Sequence, residues 1–161
     1  MTNPPATVWI NGELIPADRA TVSVYDRGFT SGDGVFETVK VVHGVPFAIT
    51  RHLRRLAESA HIIGFAPPPD AHLREAVAAT VDANLARLGD LGRLRVTLTA
   101  GRPQGSGSVP TRGGSDLTLV LTADPQTPHP GELKVVSVPW PHNERGPLVG
   151  AKTTSYADNL A

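Results

Sequence analysis

The stretch Asp26–Val42, DRGFTSGDGVFETVKVV, decides how the rest of the chain is read. Gly28, Gly32 and Gly34 permit tight backbone turns and the close approach of another group. A run of strand-forming residues follows. Side chains alternate along a strand, so Phe36, Thr38 and Lys40 share one face while Val35, Glu37, Val39 and Val41 share the other. A face carrying an aromatic ring, a hydroxyl and an ammonium is unusual for a plain core, because a buried lysine needs a partner. Two readings fit: an edge strand with one wet face, or a strand that presents polar groups to a small molecule.

Outward from this strand, His43-Gly44 followed by Val45–Ile49 reads as the second arm of a hairpin. Asn11-Gly12 between Val8–Ile10 and Glu13–Ile15 reads as another. Thr50 fits a helix N-cap, with Leu53, Leu56, Ala57, Ala60 and Ile63 at helical spacing and Gly64 as a stop. After Pro67-Pro68-Pro69, Asp70 can cap a second helix with an apolar face of Leu73, Ala76, Val77, Val81, Leu85 and Leu88. Arg93–Ala100 and Asp116–Ala123 alternate as strands, and the Gly-, Ser- and Pro-rich stretch 101–115 between them reads as a mobile loop. Strands, two helices, then strands predict an α+β domain with a largely antiparallel sheet over residues 1–123. Residues 124–132, with three prolines, read as a linker. Residues 133–161 read as the start of a second α/β domain, with a strand at Lys134–Pro139 and a helix beginning at Lys152.

Composition excludes several classes of function. The formal net charge is zero, which gives no electrostatic reason to expect nucleic acid or an anionic membrane as partner. No Cys is present, so disulfides, thiolate metal sites and cysteine nucleophiles are excluded. No apolar run approaches the roughly 20 residues of a membrane span, and the first thirty residues do not resemble a signal peptide. A cytoplasmic protein is expected. Of the 15 basic side chains only Lys40, Lys134 and Lys152 are lysine, which makes each worth weighing.

Arg51-His52 falls in the first turn of the first helix, where free N–H groups attract phosphate, although arginine is also common on solvated faces. Lys152 lies in GAKTTSYADNLA, just after a loop and followed by hydroxyls and Tyr156. That setting suits an amine that attacks a carbonyl, and it also suits a solvated lysine. Gly105-Ser106-Gly107 lacks the ending of a phosphate loop. The six histidines show no metal-ligand spacing, His129 and His142 sit among prolines, and no nucleophile-elbow motif occurs.

Taken together, DRGFxxGDGVFET, PFAITRHLRRLxxSA and NERGPLVGAKTTSYADN resemble, in order and spacing, the fold-type IV pyridoxal 5'-phosphate (PLP) enzymes. These include branched-chain and D-amino-acid aminotransferases and 4-amino-4-deoxychorismate lyases. The resemblance implies that Lys152 binds the cofactor covalently and moves a proton. It implies that Arg51 binds the cofactor phosphate, that Tyr156 supports the cofactor, and that Phe36, Thr38 and Lys40 face the substrate. Arg102 is a weaker expectation for the substrate carboxylate. Family members commonly form homodimers and continue well over a hundred residues past the lysine, so a truncated enzyme is expected. Thr38 stands where branched-chain enzymes usually carry Gly and D-amino-acid enzymes Val, and Ser31 stands where aminotransferases usually carry Tyr. Thr38 resembles the lyases. A small-molecule substrate and the lyase reaction, giving 4-aminobenzoate and pyruvate, are therefore expected. The alternatives are a branched-chain or D-amino-acid aminotransferase and, from another class, an inactive fragment or interaction module.

Overall fold

Two hairpin turns set the sheet. Strands β1 (Thr7–Ile10) and β2 (Glu13–Pro16) meet at Asn11-Gly12, whose φ angles are 48° and 106°. Strands β3 (Gly34–Val42) and β4 (Val45–Pro46) meet at His43-Gly44, with φ of 47° and 76°. Both central residues at positive φ give the turn geometry whose twist matches paired strands. The computed structural model describes residues 5–103, 117–128, 131–140 and 144–157. The Gly105-Ser106-Gly107 stretch, most of the expected mobile loop, His129 and His142 lie outside these residues.

A short helix, α1 (Arg27–Thr30), precedes β3; α2 (Ile49–Ile62) and α3 (Asp70–Leu88) follow β4; β5 (Leu91–Thr99) and β6 (Thr118–Pro125) complete the sheet. The strand order is β2-β1-β6-β5-β3-β4, with every pair antiparallel. This is the expected α+β architecture. The helix caps differ from expectation. Thr50 lies inside α2, which starts from Ala48 in the left-handed region without a side-chain cap. Asp70 is the first residue of α3 rather than its cap, where its charge still favours the positive helix end.

The register lines up two faces. Val35, Glu37 and Val39 of β3 stand beside Leu98, Val96 and Leu94 of β5, and these beside Leu119, Leu121 and Ala123 of β6. All nine are buried under α2, which contributes Leu53, Leu56 and Ala60, and α3, which contributes Leu73, Ala76, Val77, Val81 and Leu88. Leu85, expected on the apolar face of α3, is exposed, and Asn84 is buried instead. Its amide accepts from Thr7 N–H (3.0 Å) and donates to Thr7 O (2.7 Å), so it fastens α3 to the start of β1. Among the described residues, neither α2 nor α3 covers the opposite face.

Three expectations beyond the sheet are corrected. β6 runs through Pro125, into the expected linker, because Asp124 still pairs with Arg93 and Pro125 with Gly92. Lys134–Pro139 is not a strand: it has no ladder partner among the described residues, and Val135 and Val136 are 90% and 85% exposed. Lys152 does not begin a helix. Its backbone is taken up by the edge of β3, where Val35 bridges to Thr153. Among the described residues no helix is long and apolar enough to cross a membrane.

Candidate active site

Lys152 is held from both sides by its own main chain. Its carbonyl accepts from Phe36 N–H at 3.0 Å, and its N–H donates to Ser59 Oγ on α2 at 3.0 Å. Thr154 N–H donates to Gly34 O at 2.8 Å, and the hydroxyls of Thr154 and Ser155 both donate to Gly32 O. Gly32 takes φ +66°, and a Cβ there would lie 2.5 Å from Ser155 Oγ, so this contact requires glycine. Gly32 and Gly34 therefore serve to seat the lysine segment. Asp26, buried, caps α1 at Gly28 N–H (2.7 Å) and accepts from the Thr99 and Thr118 hydroxyls at 2.9 and 2.7 Å. A Cβ on Gly28 would collide with Thr99.

This anchoring puts the Lys152 ammonium 4.0 Å from the centre of the Phe36 ring and 4.8 Å from that of Tyr156. The two rings meet edge to face at 5.3 Å. The Arg95 guanidinium also stacks on Phe36, at 3.9 Å. Cations over a ring face are held electrostatically while their remaining hydrogen-bond donors stay available. Arg95 stands opposite Thr38, Thr97 opposite Phe36, and Arg93 opposite Lys40. The open face thus presents an aromatic floor, hydroxyls and several cations. Burial, and then the charge of Arg93, lower the Arg95 guanidinium from its ordinary value. An anion on this face would relieve that repulsion.

The arrangement brings together Lys152, Phe36 and Tyr156, and Thr38 shares their face of β3, opposite Arg95. Lys40 shares the face but lies roughly 13 Å further along β3. Arg102 is placed elsewhere, lining a cleft of about 650 Å3 with Trp9, His72 and Thr118. Arg51 is exposed in the first turn of α2, two turns or about 12 Å from Ser59. Arg55 lies only one turn from Ser59, about 6 Å. It forms a two-pronged ion pair with Glu37, Nε to Oε1 at 2.5 Å and Nη2 to Oε2 at 2.6 Å. His52 Nδ1 is 2.7 Å from Oε2, a contact that puts the proton on that nitrogen. Burial alone would raise the Glu37 carboxyl, but the hydrogen bonds from Arg55 and His52, with their charges, hold it below the usual carboxylate range.

Sequence reasoning did not single out Arg95, Arg55, Glu37 or Ser59. Parity along Arg93–Ala100 put Arg95 on the polar side of its strand, but only the register with β3 sets it on Phe36.

The family model for class IV amino-transferases matches residues 34–161. A bifunctional aminodeoxychorismate lyase / D-amino acid transaminase of Mycobacterium tuberculosis is 30% identical over 165 residues, covering 96% of this chain and 54% of that protein. The solved fold IV-transaminase CpuTA1 of Curtobacterium pusillum superposes with a TM-score of 0.80 at 29% identity, covering 96% of this chain and 58% of that one. A hypothetical aminotransferase of Mycobacterium tuberculosis, solved with PLP bound, gives 0.62 at 31% identity, over 74% of this chain and 40% of that one. The chain spans 22% to 54% of the length of its first curated relatives. With the family model covering Gly34 onward and the fold shared along almost the whole chain, this protein belongs to the class IV aminotransferase family of PLP-dependent enzymes.

Proposed function

We propose that this chain carries the lysine-bearing part of a 4-amino-4-deoxychorismate lyase-like enzyme, which forms 4-aminobenzoate and pyruvate, with Lys152 as the cofactor lysine. One observation carries the reading: Lys152 Nζ lies over Phe36 and beside Tyr156, on a face lined by Thr38 and Arg95. These residues fit an anionic, planar cofactor, because aromatic rings and cations are what such a group needs on its flanks. When bound, PLP supplies the electron sink for a carbanion formed beside it.

The chain's own groups do the rest. Lys152 Nζ takes and returns the proton, and the short tether to β3 and Ser59 limits where it can reach. Phe36 and Tyr156 wall the lysine from water. Arg95 offers a charge-assisted donor to a substrate carboxylate, a role for which Arg102 is less well placed. The Thr38 hydroxyl, opposite Arg95, relays a proton or holds a polar substituent. Lys40 lies at the outer end of the same face. Tyr156 supports the cofactor ring. For the phosphate, the resemblance points to Arg51, whereas the helical spacing from Ser59 supports Arg55.

Thr38 favours the lyase over a branched-chain or D-amino-acid aminotransferase. The aminotransferase reading has support of its own, since the name of the mycobacterial relative holds both activities. A homodimer in the cytoplasm completes the proposal, with exposed Val24, Tyr25 and Phe29 available as contact surface.

Borohydride reduction with PLP followed by peptide mapping should place the label on Lys152; label on Lys40 or Lys134 would refute the assignment. The complete enzyme should then release aminobenzoate from aminodeoxychorismate. Rapid transamination without aminobenzoate would reverse the order of the two reactions.

A further inference from the structure

Glu37 has a setting that sheet stability alone does not explain. It is fully buried, and its neighbours in the sheet are Val35, Val39 and Val96. An apolar side chain would fill that place at least as well, because removing a carboxylate from water is costly before its partners compensate. The partners come from one side only. Arg55 offers Nε and Nη2 to the carboxylate, and His52 offers Nδ1.

This side-on grip has a geometric consequence. A guanidinium is planar, so gripping Nε and Nη2 fixes the whole plane and directs Nη1 away from the carboxylate. Nη1 has no partner among the described residues, and the Arg55 side chain is 51% exposed. One turn along the same helix, Ser59 Oγ holds the backbone of Lys152. Arg55 is therefore a charged donor anchored at its back, with two N–H groups turned outward, close to the tether of the reactive lysine.

Building on the function proposed above, we infer that Glu37, with His52, is a positioning residue. It holds Arg55 as a preorganised donor to the phosphate of the cofactor. Preorganisation matters because an arginine held in place loses little rotamer freedom when the anion binds. Glu37 touches neither cofactor nor substrate; it acts through Arg55.

The test uses the full chain and three probes: inorganic phosphate, PLP, and pyridoxal, which lacks the phosphate. In the wild type, inorganic phosphate should shift the Arg55 and His52 side-chain NMR signals saturably. Glu37→Gln should abolish that shift and weaken PLP by about 10-fold or more, the scale of one charge-assisted hydrogen bond, while pyridoxal binding stays within about twofold. Glu37→Asp keeps the charge but retracts the carboxylate by one methylene, and should fall between the two. If Glu37→Gln does not fold, the Asp variant carries the test by the same PLP-to-pyridoxal ratio. Equal loss of PLP and pyridoxal would make the cluster purely structural and overturn the inference. So would unchanged phosphate binding in the variants, or no phosphate-induced shift in the wild type. Failure of borohydride labelling at Lys152 would instead remove the assigned lysine and leave the phosphate titration standing.

Discussion

The two faces of strand β3 differ in kind. On the covered face, Val35, Val39 and Val41 join a continuous apolar layer under α2 and α3, broken by one ion cluster at Glu37. On the open face, Phe36 is an aromatic platform on which Lys152 and Arg95 stack, with Thr38 and Lys40 beyond it along the strand. The covered face spends its residues on cohesion. The open face keeps hydroxyls and cations that add little to the stability of this chain. Side chains kept without a packing reason are where function is to be sought.

Stability measurements can break this contrast most sharply. Leu98 is fully buried between β3 and β6, so Leu98→Ala should cost about 2–5 kcal/mol of unfolding free energy. Thr122 stands on the open face, and Thr122→Ala should cost under about 1 kcal/mol in this chain. Denaturant titration of the two variants compares the faces directly. Similar losses would mean that the open face is a second core.

Cofactor affinity sharpens the contrast at α2, the helix that covers one face and holds the Lys152 backbone through Ser59. Loss of a charge-assisted donor to the phosphate should weaken PLP by about 10- to 100-fold. Arg55→Ala is expected to show that loss, and Arg51→Ala a smaller one, when PLP binding is followed by absorbance. A full loss in Arg51→Ala with none in Arg55→Ala would return the phosphate to the position that the resemblance suggests.

What the sequence made legible follows the range of each interaction. Both hairpins were readable because Asn11-Gly12 and His43-Gly44 carry their turn geometry locally. The face holding Phe36, Thr38 and Lys40 was readable because parity needs only one strand. The cap at Thr50 misled because the tight passage from β4 into α2 forces Ala48 into a left-handed conformation, which no local signal marks. The helix expected at Lys152 misled for a related reason: the edge of β3, more than a hundred positions earlier, supplies the hydrogen bonds that a helix would have made internally. Arg95 over Phe36 and Arg55 on Glu37 likewise depend on register and docking, which sequence spacing does not encode.

The smallest effect concerns the ion cluster itself and its response to acid. Arg55 and His52 hold the Glu37 carboxyl below its ordinary value in the folded protein, whereas in the unfolded chain it titrates near the usual value of about 4.3. The folded state therefore binds this proton less readily than the unfolded state. Linkage then gives a contribution to stability that is fully present above the unfolded pKa and fades as pH falls through the folded one. Glu37→Gln has no such carboxyl, while every other titrating group is shared by the two proteins. The difference between their unfolding free energies therefore carries the Glu37 carboxyl together with its interactions with Arg55 and His52. The gap between wild type and variant should narrow as the pH falls below about 5, because the protonated acid and the amide then become electrically alike. A gap that does not change with pH would mean that the carboxyl is not held low, and that Arg55 is less firmly anchored than its two short hydrogen bonds imply.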